Sequence, residues 1–313
     1  MKLRSVVVED AAQQAALQSW VPMECYQLTK GDRVAQLDML DLGPQPLVRE
    51  RQETGVQKLG ATPADFCTIS ICTHKPATRF SEHSGGRVDT VFFLPGNAEF
   101  DIHIPAGGET AYAGFSQKEF LRGARALDPA FWERPPQGGV PLATNRGGEF
   151  KDAVDLWLKT AQDAARRGED LDPAIMRGHL LQTVLHIATT QVDGATLSFN
   201  DRSRALQIGR TARAFVDDRL ETDELPTVFD ICEALDVSER TLQYAFREYV
   251  GLSPTAYLRT CRLNRVRAEL TASGPQEATI TQMAMRFGFL HLGRFAGDYK
   301  RMFGESPSAT LAS

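Results

Sequence analysis

The residues best equipped for chemistry lie in one short run, Val237-Ser238-Glu239-Arg240-Thr241-Leu242-Gln243-Tyr244-Ala245-Phe246-Arg247. Helical spacing puts Leu242 and Phe246 on one face. Arg240, Gln243, Tyr244 and Arg247 then share the outward side. A guanidinium can pair bidentately with guanine O6 and N7, and a carboxamide with adenine N6 and N7. Arg240 and Gln243 are thus candidate base readers. Tyr244 suits apolar or phosphate contact, and Arg247 a phosphate. Ser238 is a good N-cap for this helix and is counted with the DNA-contacting residues.

The run has a degenerate copy. Phe246-Arg247-Glu248-Tyr249-Val250-Gly251-Leu252-Ser253-Pro254 recurs, at an offset of 53, as Tyr299-Lys300-Arg301-Met302-Phe303-Gly304-Glu305-Ser306-Pro307. Upstream, Ile231-Cys232 and Asp236-Val237 match Met283-Ala284 and Gly288-Phe289 at an offset of 52. One extra residue therefore lies between the turn and the aromatic of the second copy. This copy offers few base-edge donors. Its candidates, His291, Arg294 and Lys300, are assigned to phosphates, which position a protein without reading sequence.

Such side chains need an element to hold them. Each copy reads as helix, tight turn, helix. The first helix needs a small residue where the second crosses it (Cys232, Ala284), and the turn needs tolerance of positive φ (Asp236, Gly288). The second helix needs an apolar inner face: Val237, Leu242 and Phe246 in one copy, Phe289, Phe295 and Tyr299 in the other. Gly251 and Gly304 are natural helix stops. Between the copies Tyr257, Leu258, Leu263, Val266 and Leu270 can face two cores from one helix, which also carries Arg259, Arg262, Arg265 and Arg267. That helix would set the recognition helices about 34 Å apart, one turn of DNA.

With these motifs in view, residues 207–313 resemble the DNA-binding domain of the AraC/XylS family of bacterial transcription regulators. The wording of Phe287-Gly288-Phe289-Leu290-His291-Leu292-Gly293-Arg294-Phe295 is similar to the subgroup containing the ethanolamine-operon activator. The resemblance implies that Arg240, Gln243 and Tyr244 occupy base-contacting positions, with Tyr244 departing from the Arg often found there. It implies a cupin-like sensor upstream that binds a small-molecule effector, and RNA polymerase as a partner. The expectation is therefore a sequence-specific regulator, an activator, of promoter or operator DNA, with no enzymatic activity and no cofactor.

The remaining sequence fits that division. A chain of 313 residues suggests about two domains. From about 24 to 116, short apolar runs broken by turn residues suggest an antiparallel sandwich or barrel. Near 117 the period becomes helical, with Ser116 as N-cap. Phe150, Ala153, Val154, Trp157, Leu158 and Ala161 form one helix face, and residues 173–191 carry an apolar face broad enough to pack against a second copy. The expected fold class is α+β: a cupin-like β-rich sensor over 1–145, a helical linker and dimerisation region over 146–200, and an all-α double helix-turn-helix domain over 201–313, its two motifs joined by a long helix. The turn Val192-Asp193-Gly194-Ala195 falls near the last boundary.

Net charge is −5, yet from Val237 to Arg301 ten Lys and Arg stand against five Asp and Glu. A local surplus of five on a body near −10 is a plausible DNA footprint. Five scattered cysteines without a CxxC fit reduced thiols. No apolar run reaches the ~18–20 residues of a membrane span, and the start is no signal peptide, so the expected location is the cytoplasm. The alternative reading is a metal-dependent cupin-type enzyme fused to a DNA-binding tail, with His74, His83, His103, Glu82 and Glu99 available. No His-x-His pair supports it, so no metal ligands and no catalytic residues are assigned. Arg79, His83 and Arg87 are possible polar groups of an effector site whose ligand the sequence does not identify.

Overall fold

The computed structural model describes residues 2–73, 75–84, 90–144, 146–169, 172–190, 200–272 and 279–312. His74, Arg87 and the turn Val192–Ala195 lie outside them. The chain divides into two compact units, one of Met1–Cys25 with Val34–Thr196, the other of Tyr26–Arg33 with Leu197–Ser313.

The first unit is two antiparallel sheets with helices against one of them. The larger sheet orders β1 (Lys2–Val8), β3 (Ala35–Asp41), β4 (Pro46–Gln52), β11 (Glu109–Phe115), β6 (Cys67–Cys72), β9 (Thr90–Leu94) and β12 (Val140–Ala143). The smaller orders β2 (Met23–Gln27), β5 (Val56–Ala61), β10 (Glu99–Ile104), β7 (Arg79–Phe80) and β8 (His83–Ser84). Strand alternation sends successive side chains to opposite faces, and β6 shows the consequence. Cys67 joins the cluster of Ile69, Phe93 and Phe115, whereas Cys72 joins Phe80, Phe92 and Phe100. The two thiols point apart, as their odd spacing predicts.

Among the described residues five helices complete this unit. α1 (Ala11–Ala16) starts at Asp10, which accepts from the backbone N–H groups of Ala12 and Gln13. α2 (Gln117–Leu127), α3 (Pro129–Trp132), α4 (Gly147–Arg167) and α5 (Pro173–Ala188) follow the sheets. Ser116 caps α2 by accepting from Glu119 N. Phe120, Trp132, Phe150, Val154, Leu158, Leu180 and Val184 from these helices cover the outer face of the larger sheet in one core with Leu47, Ile69 and Phe93. At about 25 cal/mol per Å² of apolar area removed from water, this burial is what holds the helices to the sheet.

The second unit is helical: α6 (Asn200–Glu221), α7 (Val228–Leu235), α8 (Glu239–Val250), α9 (Pro254–Ala272), α10 (Ile280–Arg286), α11 (Leu292–Phe303) and α12 (Pro307–Ala312). It has two cores. Ile231, Leu242, Phe246 and Tyr249 pack with Tyr257, Leu258 and Cys261 of α9. Met283, Ala284, Phe289, Phe295 and Tyr299 pack with Leu263, Val266 and Leu270 of the same helix. One helix thus switches faces near residue 262 to serve both motifs. Among the described residues no helix is long and apolar enough to cross a membrane.

Candidate nucleic-acid interface and ligand cavity

Both motifs are built by the same local chemistry. Thr227 opens α7 with a capping box, its hydroxyl accepting from Asp230 N while the Asp230 carboxylate accepts from Thr227 N. Thr279 and Gln282 do the same for α10. These pairs sit 52 apart, and the T-x-x-D and T-x-x-Q signature that announces them is an addition to the repeat read from sequence. Asp236 then takes φ 51° and Gly288 φ 78°, the left-handed geometry that the turn demands. Arg262 braces the segment that leads into α7 by donating to the Pro226 carbonyl at 2.9 Å.

The first recognition helix, α8, begins at the Ser238 cap, whose Oγ accepts from Thr241 N at 3.2 Å and lies 2.8 Å from the Thr241 hydroxyl. Ser238 is thereby committed to holding the helix start. Leu242, Ala245, Phe246, Tyr249 and Val250 are buried. Arg240, Thr241, Gln243, Tyr244 and Arg247 are exposed, and Tyr244 keeps 52% of its surface. The Gln243 amide nitrogen donates to Glu239 Oε1 at 3.1 Å, which holds the carboxamide over the first turn. Gly251, at φ 70°, ends the helix.

The second recognition helix, α11, starts 53 residues after α8, against an offset of 52 between the turns at Asp236 and Gly288. The extra residue lies in that gap. His291 occupies the cap position and makes no side-chain cap bond. Phe295, Tyr299, Met302 and Phe303 are buried, and Arg294 and Lys300 exposed. Asp298 is paired with both Arg259 and Arg301. The Arg259 guanidinium is held below its ordinary pKa, first by burial and then by Arg294 and Arg301, a mark of crowded positive charge at this surface. The arginines of α9 are mostly structural. Arg259 serves Asp298, Arg262 the Pro226 carbonyl, and Arg267 Glu305 at 3.1 Å. Arg240 and Arg247 on α8 and Arg294 and Lys300 on α11 are exposed and open to a polyanion.

The first unit holds a cavity of about 60 Å³ between its sheets. Its walls are mainly apolar, with Phe80, Leu94, Phe100, Ile102 and Ile104, but Glu50 and Lys58 also reach it. Glu50 is fully buried and Lys58 is 5% exposed, and the two form an ion pair. Above them Trp20 Nε1 donates to the Tyr112 hydroxyl at 3.0 Å, which donates to Gln18 Oε1 at 2.8 Å. Burial, and then the Glu50 charge, hold the Tyr112 phenol well above its ordinary pKa, so it stays protonated. Sequence reasoning does not single out Glu50, Lys58 or Tyr112. The usable signal was β4 itself: Arg49-Glu50-Arg51-Gln52 is polar on both faces of a strand that a two-layer fold must cover.

The polar groups anticipated for an effector or a metal site are placed as follows. Arg79 is tied to Asp101 at 2.6 Å and donates to the Ser81 and Asp101 carbonyls. His83 is half-buried, its pKa lowered mainly by burial. His103 is pushed down to about 4, by burial first and then by Arg79. Glu99 is exposed at the start of β10. Among the described residues no group of three or more His, Cys, Asp or Glu is gathered to hold a metal ion.

Comparison with known proteins adds to this geometry. A helix-turn-helix domain model matches residues 231–313, from within α7 through both turns and both second helices. The probable thc operon regulatory protein of Rhodococcus erythropolis is 41% identical over 85 residues, 27% of this chain and 26% of that protein. The C-terminal region therefore carries a helix-turn-helix domain. XylDLEGF operon transcriptional activator 3 of Pseudomonas putida is 28% identical over 192 residues, 60% of this chain and 55% of the relative. The matched stretch thus takes in between about a quarter and about half of these relatives. These matches concern the AraC and XylS regulators broadly and do not reach the narrower likeness to the ethanolamine-operon activator. Among solved structures, the AraC-like transcriptional activator CuxR aligns over 86% of this chain and 96% of its own, at 15% identity and a TM-score of 0.41. So distant a superposition says nothing about function.

Proposed function

We propose that the chain is a transcription activator that reads promoter or operator DNA through α8, positions itself through phosphate contacts from α11, and responds to a small molecule held between the sheets of its first unit. The observation that carries this reading is the solvent-facing row of Arg240, Gln243, Tyr244 and Arg247 on a helix whose opposite face is buried. Arg240 and Gln243 would read bases, and Arg247, His291, Arg294 and Lys300 would meet phosphates. Relatives named as operon activators support the activator sense, and with it an encounter with RNA polymerase in the cytoplasm.

On this proposal residues 1–145 sense, 146–200 link and pair two copies, and 201–313 bind DNA. Ile175 on α5 and Leu156 on α4, 60% and 62% exposed, support pairing as a homodimer, which light scattering of the full chain would test. The relatives are regulators, and the enzyme alternative gains nothing from the packing of His83 and His103. Selection of duplexes from a random pool by the purified chain tests the whole reading. Enrichment of motifs spaced by about one helical turn, ~34 Å, is the expected result. Uniform retention of all sequences would contradict it.

A further inference from the structure

The cavity of the first unit has a chemical preference written into one carboxylate. Glu50 Oε2 is heavily served: Lys58 Nζ pairs with it, and the amides of Gln14 and Gln52 donate to it at 3.1 and 3.2 Å. Glu50 Oε1, equally buried, accepts nothing among the described residues, and neither do Gln14 Oε1 and Gln52 Oε1. Turning either amide would set its oxygen against Glu50 Oε2 and lose a bond, so the local surplus is of acceptors. Of the three residues, only Glu50 lines the cavity. A buried acceptor without a donor costs the desolvation of that group, so such groups are filled by a ligand or a water.

On the other side stands Lys58. Its ammonium has three N–H donors, of which the Glu50 pair takes one. The cavity therefore offers a buried acceptor beside a buried donor, in walls that are otherwise largely apolar. The paired charges leave no net cation to hold an anionic ligand, and a carboxylate would bring acceptors to a carboxylate that needs a donor. A hydroxyl meets both demands, donating to Glu50 Oε1 while accepting from Lys58. The space, about 60 Å³, is that of about two waters at ~30 Å³ each, so the ligand is an alcohol of about three heavy atoms.

We infer that the ligand of this cavity is a small, neutral, mainly apolar alcohol, its hydroxyl seated between Glu50 and Lys58. This rests on the reading of the chain as effector-responsive, but the chemistry can be tested apart from the response. The probes are ethanol, propane, which keeps the shape without the donor, and acetate, which brings only acceptors at neutral pH. Binding to the full chain is measured by calorimetry and thermal shift. Ethanol binds at least tenfold more tightly than either of the others. In Glu50→Leu with Lys58→Met, which replaces the pair by apolar groups of similar size and so favours retained folding, that preference disappears and propane binds better.

Equal or tighter binding of the carboxylate overturns the inference. So does failure of all three probes to bind, an alcohol preference that survives the double substitution, or a water on Glu50 Oε1 that ethanol leaves in place. Affinity for selected DNA is measured in parallel. An alcohol-selective cavity with unchanged DNA affinity upholds the chemistry and refutes the effector reading. DNA affinity altered by a carboxylate held in the cavity upholds the effector reading and refutes the chemistry.

Discussion

At the residue scale, function rests on side chains whose neighbours leave them facing outward, and stability on those whose neighbours do not. Lys300 is exposed beside a buried Tyr299, so Lys300→Ala should lower DNA affinity about equally on all sequences and reduce the salt slope of binding by about one. Filter binding from low to moderate salt would show it, and loss confined to one sequence would contradict it. His103 makes a different prediction. Its partners Arg79 and Asp101 sit with it on β7 and β10, and burial with the Arg79 charge depresses its pKa to about 4. An unfolded imidazole takes a proton near pH 6.5, while the folded one stays neutral until about pH 4. Below about pH 6.5 the unfolded chain therefore binds the extra proton, and stability falls as pH drops through that window by up to ~3 kcal/mol. His103→Gln should flatten this part of a denaturation-against-pH profile; an unchanged slope would place its cause elsewhere.

At the scale of elements, the two motifs differ in how firmly they are closed. Ser238 caps α8, whereas His291 leaves α11 without a side-chain cap. Ser238→Ala should cost about 1 kcal/mol in chemical denaturation, and an unchanged midpoint would show that the cap does not hold α8. Gly288 combines φ 78° with a neighbour, Leu225 Cδ1, only 2.8 Å from where a Cβ would stand. Gly288→Ala should therefore destabilise the unit by ~1–2 kcal/mol, and a neutral result would show that the turn can relax. Sequence made this half of the molecule legible because the constraints are local and repeated: Asp236 and Gly288 in left-handed turns, Gly251 and Gly304 at helix ends, Leu242 and Phe295 inward. It could not show which arginines of α9 are spent internally, since Asp298 and Glu305 reach Arg259 and Arg267 only through the tertiary fold. The β-rich half was legible as strands, but Glu50 and Lys58 were not legible as cavity residues. Their burial depends on which sheet face each strand turns inward, which strand-level polarity alone does not decide.

At the scale of the molecule, chain order and structural order part company at one place. Tyr26–Arg33 belongs to the helical unit. Gln27 Nε2 donates to the Met302 carbonyl at 2.7 Å, Asn264 Nδ2 donates to the Gln27 carbonyl at 2.9 Å, and Gly31 N donates to Met302 O at 3.1 Å. Leu28 is 4% exposed and packs in the core beneath α8. Leu28→Ala should accordingly weaken the helical unit by ~2–4 kcal/mol although it lies some 170 residues before it; hydrogen exchange of α8 amides would register the loss, and unchanged protection would contradict it. On the proposed reading that unit acts through the outer face of α8. The most direct test of the account is therefore site selection with the full chain and with Arg240→Ala. The account predicts that the substitution relaxes preference at one base position in each motif, a loss of ~1–3 kcal/mol on the preferred site, and leaves affinity for non-specific DNA nearly intact. Equal loss on preferred and non-specific DNA would contradict it.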